Sequence, residues 1–387
     1  MKIIVLGSGL VGGPMAVDLA RDSQFDVAVA DINREALKKL GHIPGLKTVE
    51  IDLAGKGAVK NLVQDFDFVL SAVPGFMGFQ TLREVIEAKK NVVDIAFFPE
   101  DPFLLDELAR QNDVTAIVDC GVAPGMSNIL AGYVDRCLDA THRLIIYVGG
   151  LPEVREWPFE YKAVFSPIDV IEEYVRPARY VENGKMVTRP ALSEPELIFF
   201  PGVGTLEAFV TDGLRTLART MSAPDMKEKT LRYPGHIEKM AMLRETGFFS
   251  REEIQVGGMR IQPLDVTAKL LFPKWKMNGG DRDMTVMKLI VEGEKAGKTW
   301  RYTYDLLDHF DTSTGTHSMA RTTGYAATLA LRMMAQGLYY NKGISAPEFI
   351  GRQPECVDFM LQGLKERGII YRETIEKNDG WTAAQTG

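Results

Sequence analysis

Cysteine is scarce: three residues, Cys120, Cys137 and Cys356, in a chain of 387. Their spacing matches neither a disulfide framework nor a cysteine-based zinc site, so a reducing cytoplasmic setting and no metal centre are expected. Long apolar runs are missing too. None reaches the roughly 20 residues of a membrane-spanning helix, so no membrane association is expected. Neither charge sign dominates: 45 basic against 52 acidic residues leave a net charge of -7, which argues against a general affinity for nucleic acid. No internal repeat and no low-complexity linker divides the chain. The composition, 45% hydrophobic and 25% charged, is that of a globular protein of one to three domains.

The first residues, MKIIVLGSGL, are apolar enough for a signal segment, but their glycines and the want of a small-residue cleavage site fit a first strand. Gly7, Gly9 and Gly12 complete a G-x-G-x-x-G turn between that strand and a helix whose apolar positions are Val11, Met15, Val17 and Leu19. The first glycine permits the turn, the second lets backbone approach a pyrophosphate, and the third brings helix against strand. Ser8, Leu10 and Val11 complete the loop, and the helix N-terminus offers free N–H groups to phosphate. A second strand, FDVAVAD, ends in Asp31, 19 residues past Gly12, where an acid receives the adenine-ribose 2′-hydroxyl. That reading gives NAD. Arg34 is the residue that would favour NADP instead.

Apolar runs at 66–74, 90–97 and 114–125 follow at βα spacing and complete a doubly wound parallel sheet. Ala72, Val73 and Pro74 then stand at a strand's carboxyl end, where such sheets bind cofactor, and Asp94, Asp119 and Cys120 stand near two others. From HRLIIYVGGLP (142–152) onward the pattern becomes strand-rich. It predicts a second α+β domain with a mostly antiparallel sheet, a hairpin over 276–304 turning at EGEKAGKTW, and an edge strand at DVTAKLLFPKW. The expected division is 1–125 for the Rossmann domain and 126–387 for a substrate and oligomerisation domain, with a helix over 320–339 returning across the interface. The last residues, DGWTAAQTG, are expected to form a loose tail.

Several stretches together resemble the saccharopine dehydrogenase-like family, and within it the lysine 6-dehydrogenases: VLGSGLVG, VVDIAF, DCGVAPGMSN, TLRYPGHIEKMAMLRETGFF and SMARTTGYAATLALRMMAQG. The resemblance spans nearly the whole chain and implies an NAD(P)-binding Rossmann domain joined to an α+β domain with the active site between them. Members that handle saccharopine carry an Asp before the Pro of the GVAPGMSN segment and an Asp-His after its Gly-Ile. Here Ala123 and Ser127-Asn128 stand instead, which places the lysine-oxidising branch in front.

The TLRYPGH segment concentrates candidate chemistry. Pro234-Gly235 ends a strand, and His236 begins a helix closing at Gly247, so the positive end of the helix favours a neutral imidazole. Amine oxidation by hydride transfer needs a neutral amine; His236 is the first choice of base, with Glu238 and Lys239 behind it. Arg232, Tyr233 and Arg321 are candidates for the substrate carboxylate, Arg321 as a residue preceding a helix N-terminus. Asp119 is placed to hold an ammonium or orient water. Cys120 is a packed small hydrophobe or a substrate contact, and His317 ranks below His236. The expected reaction is oxidative deamination of the L-lysine ε-amine by NAD+, giving a semialdehyde that cyclises to piperideine-6-carboxylate, plus ammonia. Alternatives are a saccharopine or carboxynorspermidine enzyme acting on a secondary amine, which would draw on Arg155, Arg176, Arg179, Arg232 and Arg244, and a non-catalytic NAD sensor. A homo-oligomer, dimer or tetramer, is expected from the exposed antiparallel sheet.

Overall fold

A computed structural model describes residues 1–278 and 280–378; the expected tail at 379–387 lies outside them. The chain forms two units, Met1–Arg136 with Met319–Ile370, and Cys137–Ser318 with the chain from Tyr371 onward. The break expected after residue 125 thus falls before a helix, Met126–Cys137, that belongs almost wholly to the first unit.

In the first unit the strands are β1 Lys2–Leu6, β2 Asp26–Asp31, β3 Leu46–Glu50, β4 Phe68–Ser71, β5 Asn91–Asp94 and β6 Thr115–Ile117. A late strand, Gly343–Ser345, pairs in parallel with β6. The sheet is wholly parallel, with β1 and β4 adjacent and β2 and β3 following on the far side of β1. Its strands read as continuous apolar runs because both faces are covered, as Ile3, Ile4, Val5 and Leu6 are all fully buried. The helices are α1 Gly12–Ala20, α2 Arg34–Leu40, α3 Ala58–Leu62, α4 Gly75–Glu87, α5 Asp106–Gln111 and α6 Met126–Cys137, joined by the later helices Ser318–Ala335, Pro347–Gly351 and Pro354–Glu366. The strand expected over 66–74 ends at Ser71, since Pro74 caps α4.

Helix α1 differs from its expected face: Val17 is half-buried, while Asp18 is buried. Asp18 accepts from Arg332 at 2.7 Å and Arg367 at 2.9 Å. Burial alone would raise its pKa, but these two guanidiniums hold it below the usual carboxylate value. Arg332 lies on the apolar helix Ser318–Ala335, whose Gly324 backbone meets α1; a Cβ there would stand 2.8 Å from Met15 Cγ.

The second unit carries β7 Ala140–Pro152, β8 Ala178–Glu182, β9 Lys185–Arg189, β10 Glu196–Phe200, β11 Gly204–Val210, β12 Asp225–Arg232, the ribbon β13 Ile254–Val256 with β14 Met259–Ile261, β15 Asp283–Lys295, β16 Lys298–His309 and a final strand Tyr371–Asn378. Its large sheet is antiparallel except where β12 runs parallel to β7. The β15–β16 hairpin turns tightly at Ala296-Gly297, both left-handed, rather than across the nine residues expected. Here α7 is Pro167–Val175, α8 Leu217–Thr220, α9 His236–Glu245 and α10 Pro263–Trp275. The expected edge strand DVTAKLLFPKW is therefore a helix. Pro263 occupies its first turn, where a proline is tolerated, and Leu264, Thr267, Leu271 and Trp275 recur at helical spacing on its buried face.

Candidate functional site

In the first unit the chain leaves β1 at Gly7 with φ +98°. A Cβ at Gly7 would stand 2.6 Å from Ala72 O, and one at Gly12 would stand 2.1 Å from Gly7 O. Only glycine lets the turn, α1 and the end of β4 meet. Gly9 differs, because nothing lies within 4 Å of where its Cβ would be. Its backbone faces open space, as the approach of a pyrophosphate requires. Leu10 is exposed and Val11 precedes the helix.

Asp31 ends β2 with its carboxylate already engaged. Oδ2 accepts from Ser8 N at 2.6 Å and from Ser8 Oγ at 2.9 Å, and Oδ1 accepts from Asn33 N at 2.7 Å. A carboxylate has about four acceptor positions, so one remains for a ribose hydroxyl. Ala72, Val73 and Pro74 complete the rim at the place where strand order reverses between β1 and β4, the position at which open α/β sheets take ligands. These residues fit a dinucleotide.

Beside them, Asp94 closes β5, and its carbonyl accepts from Cys120 N at 3.0 Å. Asp119 is 3% exposed and holds φ +51°. Burial, then Asp119 and then Asp94, push the Cys120 thiol up to about 12. Cys120, the expected substrate contact, is fully buried, as the alternative reading of a packed small hydrophobe requires. Arg321 is corrected. It lies inside a helix rather than before one, is buried, and donates from Nη2 to Arg367 O at 2.7 Å.

In the second unit His236 stands at the first position of α9, and only 1% of it is exposed. Its Nδ1 is 2.9 Å from Phe159 O, and a carbonyl can only accept, so Nδ1 carries the proton. Nε2, 2.9 Å from Tyr174 Oη, then accepts from that hydroxyl. Burial first, and the positive charges of Arg232 and Lys239 after it, lower the imidazole to about 3, against the Phe159 hydrogen bond. Both ring nitrogens of His236, the residue expected as the base, are thus engaged within the unit.

Arg232 is turned inward as well. Nη2 donates to Glu173 at 2.5 Å, Nε to Tyr174 Oη at 3.2 Å and Nη1 to Leu231 O at 2.9 Å, while its guanidinium covers the Tyr161 ring at 4.5 Å. Tyr233 is buried, and its hydroxyl donates to Pro152 O at 2.8 Å. Both thus spend hydrogen-bonding groups inside their own unit. Glu238 is exposed, Lys239 sits over Trp157 at 5.5 Å, and His317 Nδ1 lies 3.1 Å from Asp283. Sequence reasoning missed Tyr161, Glu173 and Tyr174, which no local motif marks. It also missed Glu228, fully buried against Gly213 and hydrogen-bonded by Thr211.

A parallel sheet with a glycine turn at its switch point and an acid closing the second strand defines a dinucleotide-binding protein of the doubly wound α/β class. Residues 3–117 match the model of the Saccharopine dehydrogenase NADP binding domain, and residues 121–369 that of the Saccharopine dehydrogenase C-terminal domain. The chain belongs to the saccharopine dehydrogenase family, and residues 3–117 of its first unit correspond to that family's NADP binding domain.

Among its relatives is the mitochondrial alpha-aminoadipic semialdehyde synthase of Bos taurus, 23% identical over 444 residues that cover 96% of this chain and 47% of that protein. The chain thus spans about half the length of the first curated relatives it matches. Saccharopine dehydrogenase [NADP(+), L-glutamate-forming] of Saccharomyces cerevisiae is 24% identical across 96% of this chain and 98% of its own. Carboxyaminopropylagmatine dehydrogenase of Synechocystis is 22% identical across 97% and 98%. The solved structure of saccharopine dehydrogenase (L-Glu forming) from Saccharomyces cerevisiae shares the fold, with a TM-score of 0.79 at 21% identity over 97% of this chain and 99% of that one. Among the described residues no helix is long and apolar enough to cross a membrane.

Proposed function

We propose that the chain is a nicotinamide-dependent dehydrogenase that oxidises a carbon–nitrogen bond of an amino-acid-derived amine, with the ε-amine of L-lysine as its substrate. One observation carries the choice of substrate. A tricarboxylate such as saccharopine calls for several free guanidiniums, yet each candidate arginine stands within 4 Å of a carboxylate of its own unit: Arg155 at Glu160, Arg176 at Glu172, Arg179 at Asp212, Arg232 at Glu173 and Arg244 at Glu245.

The Gly7–Gly12 turn, Asp31 and Ala72–Pro74 hold the dinucleotide, which supplies a hydride acceptor when bound. Asp94 and Asp119 hold the substrate ammonium, and Asp119 takes its proton, because an ammonium has no lone pair to assist hydride departure. Cys120 remains a neutral packing thiol. Water hydrolyses the resulting imine, releasing ammonia, and the semialdehyde closes on its α-amine to give piperideine-6-carboxylate.

Asp31 supports NAD+, since its charge repels a 2′-phosphate and the neighbouring cation, Arg34, lies 3.5 Å from Glu50. The NADP printed for the family's domain and for the yeast relative supports the other cofactor. The printed names of the yeast and Synechocystis relatives likewise support a second reading, a secondary amine as substrate. Absorbance at 340 nm with NAD+ or NADP+ against L-lysine, L-ornithine and saccharopine separates these readings. Reduction with lysine and matching ammonia release is the expected result; reduction with saccharopine alone overturns the lysine assignment.

A further inference from the structure

The first unit holds a cavity that shares no residue with the glycine turn. Its volume is about 640 Å³, within the roughly 300–1,000 Å³ of small-molecule sites. Among the residues lining it are Leu338, Tyr340, Lys342, Phe349, Arg352 and Glu355. The wall from Leu338 to Lys342 leads into the amino end of the late strand Gly343–Ser345, and Lys342 reaches Asp113, just before β6. Gly7 follows the carboxyl end of β1, with β6, β5 and β4 lying between β1 and the late strand. Every strand runs the same way, so this wall and the dinucleotide turn stand at opposite rims of the sheet.

Local structure explains the lining. Gly337, with φ +72°, turns the chain out of the helix Ser318–Ala335. Tyr339 then goes inward, 1% exposed with its hydroxyl bonded to Ser345, and Tyr340 goes outward, 72% exposed. Phe349 is half-buried, and the Arg352 guanidinium lies over its ring, 4.9 Å from the centroid. Tyr340, Phe349 and Leu338 thus supply an apolar flank. Lys342 Nζ donates to Asp113 O at 2.6 Å and lies 3.3 Å from Asp113 Oδ2, so its charge is matched. Arg352 and Glu355 bring one further charge of each sign, and Glu355 sits in the first turn of the helix Pro354–Glu366, a favoured place for an acid.

We propose that this cavity binds a zwitterionic amino acid with an aromatic side chain. Arg352 receives the carboxylate, Glu355 the ammonium, and Tyr340, Phe349 and Leu338 the ring. A guanidinium has five N–H donors in a planar fork, so covering Phe349 leaves it able to pair with a carboxylate. Charge decides against a nucleotide. With Lys342 matched by Asp113, a phosphate meets one cation and one carboxylate and gains no net attraction.

Calorimetric titration of the full chain with L-phenylalanine tests this. Phenethylamine and 3-phenylpropionate each lack one of the two charges, and AMP serves as the nucleotide probe. L-phenylalanine is expected to bind once per chain with a Kd of about 1 mM or below, and each single-charge analogue about 10-fold more weakly. Arg352→Gln should weaken L-phenylalanine and 3-phenylpropionate but spare phenethylamine, whereas Glu355→Gln should weaken L-phenylalanine and phenethylamine but spare 3-phenylpropionate. Tyr340→Ala should weaken all three. These three side chains are exposed, so melting temperatures and fluorescence titrations with the reduced dinucleotides should match wild type, which separates this site from the glycine turn. No binding of L-phenylalanine by wild type at about 10 mM, tighter binding of AMP, or variants that bind every compound as wild type does each overturns the proposal.

Discussion

Tyr174 Oη lies 2.9 Å from His236 Nε2 and also receives a hydrogen bond from Arg232 Nε. This hydroxyl links the imidazole to the guanidinium, and Glu173 and the Phe159 carbonyl close the two ends of the chain. Tyr161 and Trp275 pack around it, with ring centroids 5.2 Å from His236 and 5.5 Å from Tyr161 respectively. The most reactive-looking segment of the sequence thereby serves as a polar node in an aromatic core.

His236→Gln should destabilise the protein by about 1 to 3 kcal/mol, the cost of leaving buried hydrogen-bonding groups unpaired. Turnover per folded molecule should stay within a few-fold of wild type. Urea unfolding alongside kcat checks both, and a loss of about 100-fold or more in kcat with unchanged stability restores His236 as a base.

Acid should loosen this core. The folded imidazole titrates at about 3 and an unfolded one near 6.5, so the unfolded chain binds the extra proton between those values. Stability is present above about pH 6.5 and declines as pH falls toward 3. In His236→Gln that part of the slope should vanish from unfolding curves taken across the interval.

Glu228 has the opposite sign. Burial raises its carboxyl to about 8, with Glu173 and Asp212 adding to the shift and Thr211 opposing it. The folded state then holds a proton that the unfolded state loses near 4.3, so this contribution is full below the unfolded value and fades as pH rises through 8. Glu228→Gln should flatten the alkaline fall, and its melting temperature at pH 9 should meet or exceed that of wild type.

Gly12→Ala should abolish dinucleotide binding, because the added methyl collides with the Gly7 carbonyl. Asp31→Ser should lower NAD+ affinity and raise NADP+ affinity by removing a charge that repels a 2′-phosphate. Fluorescence titration with both reduced cofactors measures this; an unchanged ratio overturns the role given to Asp31.

Asp119→Asn should reduce kcat by about 100-fold or more, within the usual range for a lost proton acceptor. Cys120→Ala should cost stability rather than rate, as a buried neutral thiol fills space. Steady-state kinetics of both variants, with thermal melts beside them, separate the two roles.

The cofactor half was legible where its signals are local. Gly7 and Gly12 announce, through their spacing in the chain, the close backbone approach that the turn needs. Strand β3 and the late strand Gly343–Ser345 escaped notice, being short sheet edges; the latter arrives more than two hundred residues after its neighbour β6. Helix α10 was misread because β-branched and proline residues masked a periodicity that only burial makes evident.

Residue order sufficed for the glycine turn and the start of α9 at His236, since each depends on neighbours a few positions apart, and the spacing of strand and helix runs announced the class of the sheet though not all its strands. Whether His236, Arg232 and Cys120 face a ligand or a core depended on distant partners. Phe159, Glu173 and Tyr174 satisfy the first two, and Asp94 sits against the third. A side chain's chemistry follows from what surrounds it, and folding assembles those surroundings from stretches that carry no mutual signal in the chain.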